Sequence, residues 1–317
     1  MKTKKNGFSK EKPNGFAKKP SICIIGPGVV GQATGKVFAQ LGYKTAFLGG
    51  NEEKRKKLKE EGYVTYDRNE LFDGLYDFDI SFFTVPTPTI DGKISLLALT
   101  SAAIDLGKRL AKAPKKYHLA VVKSTVPPGT TESLVIPLIE KYSKRKVGKD
   151  FGVCMNPEYL REKTAFEDSL RPWIILIGQY DKRSGDLLER AYEKFTCPIF
   201  RSTLREAEMQ KYIHNLFNAV KISFFNEMRQ VGKKIGADPE KIFAYTVLSC
   251  EGIWNPKYGT KDFGPFSGSC LPKDTKAFLE WGKNNKFDLP LLESAIKVNR
   301  ELQKNGERTQ KYIGLEL

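Results

Sequence analysis

The sequence predicts an α/β protein in which a doubly wound parallel sheet is followed by a helical domain. Three observations support this fold class. A short apolar segment beginning at residue 21 leads into glycines spaced as GxGxxG and then into a helical pattern. The order of apolar segment, polar loop and amphipathic helix recurs to about residue 170. Residues 205–231 then contain neither glycine nor proline. Repeated strand and helix alternation favours a parallel sheet covered by helices, and the uninterrupted run favours a long helix.

Residues 1–20 are expected to form a disordered basic tail. They hold seven lysines against one glutamate and show no apolar periodicity. We interpret the tail as a solvated extension, and contact with a polyanion is the alternative. The ordered domains are predicted to begin at residue 21.

The amino-acid composition excludes several classes of protein. Apolar residues make up 40% of the 317 residues, enough to bury one large core or two moderate ones. No apolar run approaches the roughly eighteen residues of a membrane span, and no signal peptide follows the basic start. The five cysteines include no CxxC pair, as is typical of a reducing compartment. We therefore expect a cytoplasmic protein, without a membrane partner, a nucleic-acid partner or a metal site. The net charge of +16 suits anionic ligands such as nucleotide phosphates.

The first predicted strand and helix carry a dinucleotide-binding pattern. In "SICIIGPGVVGQATGKVFAQLG", Gly26, Gly28 and Gly31 follow the apolar strand, and Val29 and Val30 open the helix. The first glycine permits a tight turn, the second lets the backbone approach a pyrophosphate, and the third lets the helix pack closely. The helix N-terminus then faces the anion. We interpret residues 21–202 as a Rossmann-type dinucleotide-binding domain.

The second predicted strand ends without the usual acid. About twenty residues after the first glycine, an Asp or Glu ordinarily accepts the ribose hydroxyls of NAD. This chain instead has Gly49, then Gly50 and Asn51. Asn51 remains a candidate for a ribose hydroxyl, and Lys54 or Arg55 for the extra phosphate of NADP. Residues alone leave the choice between NAD and NADP open.

Later strand ends supply further candidates. Two more strand–loop–helix patterns place Thr87 after one strand and Ser124 and Thr125 after the next. Ligands of such sheets bind beyond the carboxyl ends of the strands, so these side chains are expected near the cofactor. Glu158 and Glu162 follow a fifth strand, and their spacing puts both carboxylates on one face if that stretch is helical.

The helical domain is predicted over residues 203–300, with residues 301–317 as a C-terminal remnant. Asp238 is the expected N-cap of a helix whose first residue is Pro239. In the long helix, Lys211 and Asn215 are four residues apart and share a face. An ammonium beside a carboxamide can hold an alcohol or a developing oxyanion.

Six motifs occur together in the order and near spacing found in the UDP-glucose/GDP-mannose dehydrogenase family, which this chain resembles over about residues 21–300. They are "GPGVVG", "FTVPTP", "KSTVPPGT", "NPEYLRE", "AEMQKYIHNLFNAVKISFFNE" and "SGSCLPKDT". The resemblance implies oxidation of the primary alcohol of a nucleotide sugar to a carboxylate. It also implies consumption of two NAD, a thioester on the loop cysteine, and pairing of two subunits through the long helix.

The resemblance assigns roles to residues of this chain. Cys270 is the implied nucleophile, because thiolate addition turns an aldehyde into a thiohemiacetal that can lose a second hydride. The implied catalytic residues are Cys270, Lys211, Asn215, Asp274, Glu158 and Thr125. The implied cofactor-binding residues beyond the glycine turn are Asn51, Val85, Thr87, Ser124, Glu162 and Lys273. The implied substrate-binding residues are Glu158, Tyr159, Leu160, Lys211, Asn215 and Phe266.

One departure keeps alternatives open. Family members carry a third, nucleotide-binding domain after the central helices, and this chain is expected to lack it. A second copy of the chain or a separate chain would then complete the site. The alternatives are a two-electron dehydrogenase acting on a smaller substrate and a catalytically idle interaction module.

Overall fold

The computed structural model describes residues 19–68, 78–114, 116–261 and 264–304. The chain divides into two compact units between His214 and Asn215. Most of the predicted basic tail, up to residue 18, and the predicted remnant after residue 304 lie outside the described residues.

Ten strands occur in the described residues. They are β1 (Ile22–Ile25), β2 (Thr45–Gly49), β3 (Val64–Asp67), β4 (Ile80–Phe83), β5 (Thr89–Ile90), β6 (Lys93–Ile94), β7 (His118–Val122), β8 (Phe151–Met155), β9 (Ile175–Gln179) and β10 (Ile199–Thr203). Strands β5 and β6 form a small antiparallel hairpin. The other eight form the main sheet of the N-terminal unit.

The order of the main sheet is β10-β9-β8-β7-β4-β1-β2-β3. Neighbouring strands pair in parallel, except that β8 and β9 are antiparallel. The chain moves outward through β2 and β3 and returns at β4 to the other side of β1, so the strand order reverses between β1 and β4. Loops at the carboxyl ends of these strands open into a crevice at such a reversal. The predicted mostly parallel, doubly wound sheet is confirmed.

Eleven helices occur in the described residues. They are α1 (Val29–Gln40), α2 (Glu52–Glu60), α3 (Leu97–Lys112), α4 (Ile136–Ser143), α5 (Ala165–Leu170), α6 (Lys182–Ala191), α7 (Leu204–Lys234), α8 (Pro239–Ser249), α9 (Glu251–Trp254), α10 (Leu271–Asn284) and α11 (Pro290–Lys304). A π-helical turn, Thr131–Val135, precedes α4, and a 3-10 turn, Glu162–Thr164, precedes α5. None of the described helices is long and apolar enough to cross a membrane.

The sheet is buried on both faces. Along β1, Cys23 and Ile25 pack into one core with helices α3 and α4, whereas Ile22 and Ile24 pack into a second core with α1, α2 and α6. Successive side chains of a strand point to opposite faces, so a strand covered on both sides needs a continuous apolar run. This requirement explains why the sheet strands read as short apolar runs in the sequence.

The second unit consists of helices. The predicted long helix is confirmed as α7, and Asp238 caps α8 by accepting a hydrogen bond from the Glu240 N–H at 3.0 Å. Gly282 of α10 packs closely against Leu289, the residue before α11, since an added Cβ would lie 2.6 Å from Leu289 Cδ1.

His118 is a buried titratable group at the start of β7. One ring nitrogen lies 3.0 Å from the Phe78 carbonyl oxygen, and the other lies 3.0 Å from Ser81 Oγ. Burial lowers the pKa of His118 to about 4, against the weaker opposing effects of the Phe78 hydrogen bond and Asp79. The folded protein therefore holds this imidazole neutral.

We expect this histidine to make folding sensitive to acid. Below about pH 6.5 the unfolded chain binds a proton at His118, whereas the folded chain does not until about pH 4. Stability should therefore fall as the pH falls through this window, by about 2 kcal/mol between pH 7 and 5 from this residue. Urea unfolding at both pH values should show a smaller pH dependence for His118→Gln than for the parent. The same pH dependence in both proteins would contradict this account.

Candidate active site

The glycine turn between β1 and α1 has the features of a phosphate site. Gly26 has a φ of +97°, a conformation that side-chain-bearing residues rarely adopt. A Cβ at Gly31 would clash with the carbonyl oxygen of Gly26, whereas a Cβ at Gly28 would meet no atom within 4 Å. Among the described residues, no side chain caps α1. The N–H groups of its first turn, which lack helical partners, are thus available to a diphosphate.

A cavity of about 550 Å³ opens beside this turn, at the carboxyl ends of β1, β2, β4 and β7. The predicted candidates that line it are Gly26, Gly28, Val29, Val30, Asn51, Val85, Thr87, Ser124, Thr125 and Glu158. Gly31 packs beneath the turn, and Glu162 is not among the lining residues. The volume, the open glycine and the uncapped helix together fit a dinucleotide.

Hydrogen bonds join two of the loops that form the cavity wall. The Thr87 hydroxyl donates to the carbonyl oxygen of Thr125 at 2.8 Å, and the Ser124 hydroxyl donates to that of Val85 at 2.6 Å. The loops after β4 and β7 therefore form one wall. Both hydroxyl hydrogens are used within the chain, so these side chains offer a ligand their oxygen lone pairs.

An ion pair lies at the edge of this cavity. Lys211, on the first third of α7, is buried, and its Nζ lies 3.0 Å from Glu158 Oε1 and 2.5 Å from the Glu158 carbonyl oxygen. Glu158 Oε2 accepts from the Leu160 N–H at 2.6 Å. The Tyr159 hydroxyl donates to Gln210 Oε1 at 2.6 Å, and burial followed by Glu158 raises the pKa of Tyr159. The carboxylate of Glu158 and the ammonium group of Lys211 are thus held together just after the end of β8.

The condition under which Glu158 and Glu162 would share a helical face, that their stretch is helical, is not met. The stretch 156–160 is irregular, and the 3-10 turn begins only at Glu162. Pro157 disfavours a helical conformation at Asn156 and has no N–H to donate. The bond between the Glu158 carboxylate and the Leu160 N–H stabilises this irregular segment instead.

Lys123 is a cavity residue that sequence reasoning missed. Its buried Nζ donates to Asn156 Oδ1 at 2.8 Å, and Tyr192 donates to the same oxygen at 2.6 Å. Burial lowers the pKa of Lys123 to about 8, with Glu158 opposing the shift and Lys211 adding to it. The available signal was a lysine directly after the apolar strand in "LAVVKST".

Glu208 is a second residue that the sequence did not single out. Its fully buried carboxylate on α7 accepts hydrogen bonds from the N–H groups of Gly129 and Thr131, the latter at 2.8 Å. These donors belong to the loop that begins with Ser124 and to the turn that opens the next helix. Glu208 therefore holds the loop after β7 in place.

The remaining candidates lie in the second unit. Cys270 is the exposed N-cap residue of α10, preceded by Gly268 with a φ of +84°. Lys273 Nζ lies 2.5 Å from Asp274 Oδ1 in the first turn of that helix. The Phe266 carbonyl oxygen accepts from Asn299 Nδ2 at 3.0 Å, and Asn215 is exposed on α7. Cys270 and Asp274 are thus one helical turn apart on one helix.

The fold and the cavity define a dinucleotide-binding domain followed by a helical domain. Models of the UDP-glucose/GDP-mannose dehydrogenase family match both parts: the NAD-binding domain over residues 20–196 and the central domain over residues 205–301. The chain belongs to this family, and its N-terminal domain is an NAD-binding domain.

The similar proteins are named for two different substrates, GDP-mannose and UDP-glucose. The chain is 38% identical over 224 residues to GDP-mannose 6-dehydrogenase of Pseudomonas aeruginosa, covering 70% of this chain and 51% of that protein. It is 35% identical over 303 residues to UDP-glucose 6-dehydrogenase YwqF of Bacillus subtilis, covering 89% and 66%. The chain thus spans between half and two thirds of the length of these relatives.

Solved structures agree with this assignment. A ternary complex of GDP-mannose dehydrogenase from Pseudomonas aeruginosa superposes with a TM-score of 0.83 at 32% identity, covering 89% of this chain and 69% of that one. A UDP-glucose dehydrogenase from Pyrobaculum islandicum superposes with a TM-score of 0.69 at 31% identity, covering 91% and 69%.

Proposed function

We propose that the protein oxidises the primary alcohol of a nucleotide sugar to the uronate, in two NAD-dependent steps joined by a thioester on Cys270. The observation that carries the proposal is the buried Lys211–Glu158 pair at the edge of the dinucleotide cavity. The fixed ammonium group of Lys211 can hold the substrate oxygen, and the Glu158 carboxylate beside it can accept the hydroxyl proton. Two relatives named for GDP-mannose and UDP-glucose support the substrate class.

Bound NAD supplies a hydride acceptor for each oxidation. In the first oxidation Glu158 would accept the hydroxyl proton and a hydride would leave the carbon for the cofactor, giving the aldehyde, while Lys211 and Asn215 hold the oxygen. The Cys270 thiolate then adds to the aldehyde carbon, forming a C–S bond and a thiohemiacetal. Loss of a second hydride gives the thioester. Water held by Asp274 and Thr125 cleaves the C–S bond, releasing the carboxylate and the thiol.

Cys270 favours this route over a two-electron dehydrogenase, since simple alcohol oxidation needs no thiol. An idle interaction module is disfavoured because Lys211 and Glu158 bury and pair their charges, which is costly to maintain without use. The test is a panel of UDP- and GDP-linked hexoses with NAD, monitored for reduced cofactor and by calorimetry for sugar binding. We expect one nucleotide sugar to bind and be oxidised. Oxidation of small alcohols alone, or no binding by the whole panel, would overturn the proposal.

The same proposal includes a homodimer in the cytoplasm, and five free cysteines support the reducing compartment. Leu216, Phe217, Val220 and Phe224 form an apolar stripe on α7 at helical spacing, and Phe217 is 59% exposed. A symmetric pair would bury this stripe against its own copy.

We expect Phe217→Glu to dissociate the dimer, because a buried like-charge pair at a twofold interface is strongly unfavourable. Phe217→Leu, which keeps an apolar side chain, is the matched control and should remain dimeric. Analytical ultracentrifugation at micromolar concentration measures both. A monomeric, folded parent protein would contradict the assembly proposed here.

A further inference from the structure

The end of β2 excludes an acidic side chain. NAD-binding folds ordinarily place an Asp or Glu there to accept the ribose hydroxyls of the adenosine. In this chain a Cβ at Gly49 would lie 2.6 Å from Pro27 Cδ and 2.9 Å from Pro27 Cγ. Pro27 is the middle residue of the phosphate turn, and its ring cannot rotate away. With proline at position 27, only glycine fits at position 49 without a steric clash.

Among the described residues, the neighbouring carboxylates Asp67 and Asp105 do not take over the role of the missing acid. Asp67, at the end of β3, forms an ion pair with Arg55, whose other nitrogen donates to the Gly49 carbonyl oxygen at 2.8 Å. Asp105 lines the cavity but lies 2.6 Å from the Nε of Arg68. Each of these carboxylates is therefore already neutralised by an arginine.

A cation is available at the same place. Lys54 lines the cavity in the first turn of α2, and among the described residues no carboxylate pairs with its ammonium group. Asn51 Oδ1, the other candidate acceptor, already receives the Lys54 N–H at 2.9 Å. Glu52 and Glu53 are exposed and do not line the cavity.

We propose that this end of the cavity accepts the 2′-phosphate of NADP, with Lys54 as the contacting cation, so that the protein binds NADP as well as NAD. A phosphate monoester carries nearly two negative charges at neutral pH, and a carboxylate beside it would repel it. Here that carboxylate is replaced by a glycine, and Lys54, whose ammonium group pairs with no carboxylate of the described residues, lines the same cavity. The proposal rests on the dinucleotide cavity and not on the identity of the sugar.

Calorimetric titration of the whole chain with NAD and with NADP tests the proposal without any turnover. We expect the two dissociation constants to agree within about tenfold, equivalent to about 1.4 kcal/mol. Lys54→Gln should weaken NADP binding about fivefold or more and change NAD binding less than twofold. Lys57→Gln, an exposed lysine of the same helix, is the matched control and should change neither.

A second test compares Pro27→Ala with the double variant that also carries Gly49→Asp, which restores an acid at the end of β2. Pro27→Ala makes room at position 49, and its own affinities for NAD and NADP serve as the reference for the double variant. Adding Gly49→Asp to it should weaken NADP binding about tenfold or more relative to Pro27→Ala alone and leave NAD binding intact. NADP binding to the parent more than about 100-fold weaker than NAD would overturn this proposal alone. Failure of the parent to bind either dinucleotide would overturn the proposed function as well.

Discussion

Cys270→Ser is expected to lower the rate of uronate formation by about 1,000-fold or more. The serine hydroxyl is a much weaker nucleophile than a thiolate, so the aldehyde would not be converted efficiently to a species that can lose a second hydride. At most, a slow first oxidation or a stalled ester should remain. Quantifying uronate by mass spectrometry, with a nucleotide sugar that the parent protein oxidises, measures the effect.

The matched control is Cys250→Ser, because Cys250 is also an exposed thiol of the second unit and has no role in the proposed reaction. Its rate should stay within about twofold of the parent. Peptide mapping of the parent, quenched during turnover, should find the acyl adduct on Cys270. Equal rates for the two serine variants would remove Cys270 from the mechanism.

Glu208→Ala is expected to lower the free energy of unfolding by about 2–4 kcal/mol. The substitution leaves the buried N–H of Thr131 and the half-buried N–H of Gly129 without their acceptor, and each unsatisfied buried donor costs about 1–3 kcal/mol. It also removes a negative charge from the start of a helical turn. Because the loop carries Ser124 and Thr125, NAD affinity should fall together with stability.

Glu132→Ala is the matched control for this prediction. Glu132 pairs with Arg205 at 2.8 Å near the same junction, but both side chains are exposed. Such surface pairs contribute about 0–1 kcal/mol. Urea unfolding measures the free energy of unfolding of both variants, and titration with NAD measures their affinity for the cofactor. If Glu208→Ala loses no more stability than Glu132→Ala, the buried carboxylate does not hold the loop.

Local patterns in the sequence were enough to predict the sheet, the glycine turn and the long helix. Gly26 and the cap at Asp238 depend on a few neighbouring residues, and the structure has both where they were expected. The interactions that position the site are different in kind. Glu208 meets its two donors across 79 and 77 residues, and Lys123 reaches Asn156 across 33. No local pattern distinguishes Glu208 from a surface glutamate, whereas the position of Lys123 directly after an apolar strand was an available signal.

The close approach of Gly49 and Pro27 is a further contact between distant residues that the sequence alone did not predict. The missing acid was visible in the sequence, but its steric partner in the glycine turn was not. Arg55 was a candidate for a cofactor phosphate, yet its ion pair with Asp67 on the adjacent strand occupies it and leaves Lys54 available. The segment around Glu158 is irregular rather than helical, and Pro157, which follows Asn156 directly at the end of the strand, disfavours a helix there.

The most direct test of the proposed function is the number of reduced cofactor molecules formed per nucleotide sugar consumed. The thioester route predicts two, with the uronate as product and no free aldehyde, using whichever dinucleotide binds. One reduced cofactor per sugar, with the aldehyde accumulating, would contradict the four-electron route and leave a two-electron dehydrogenase.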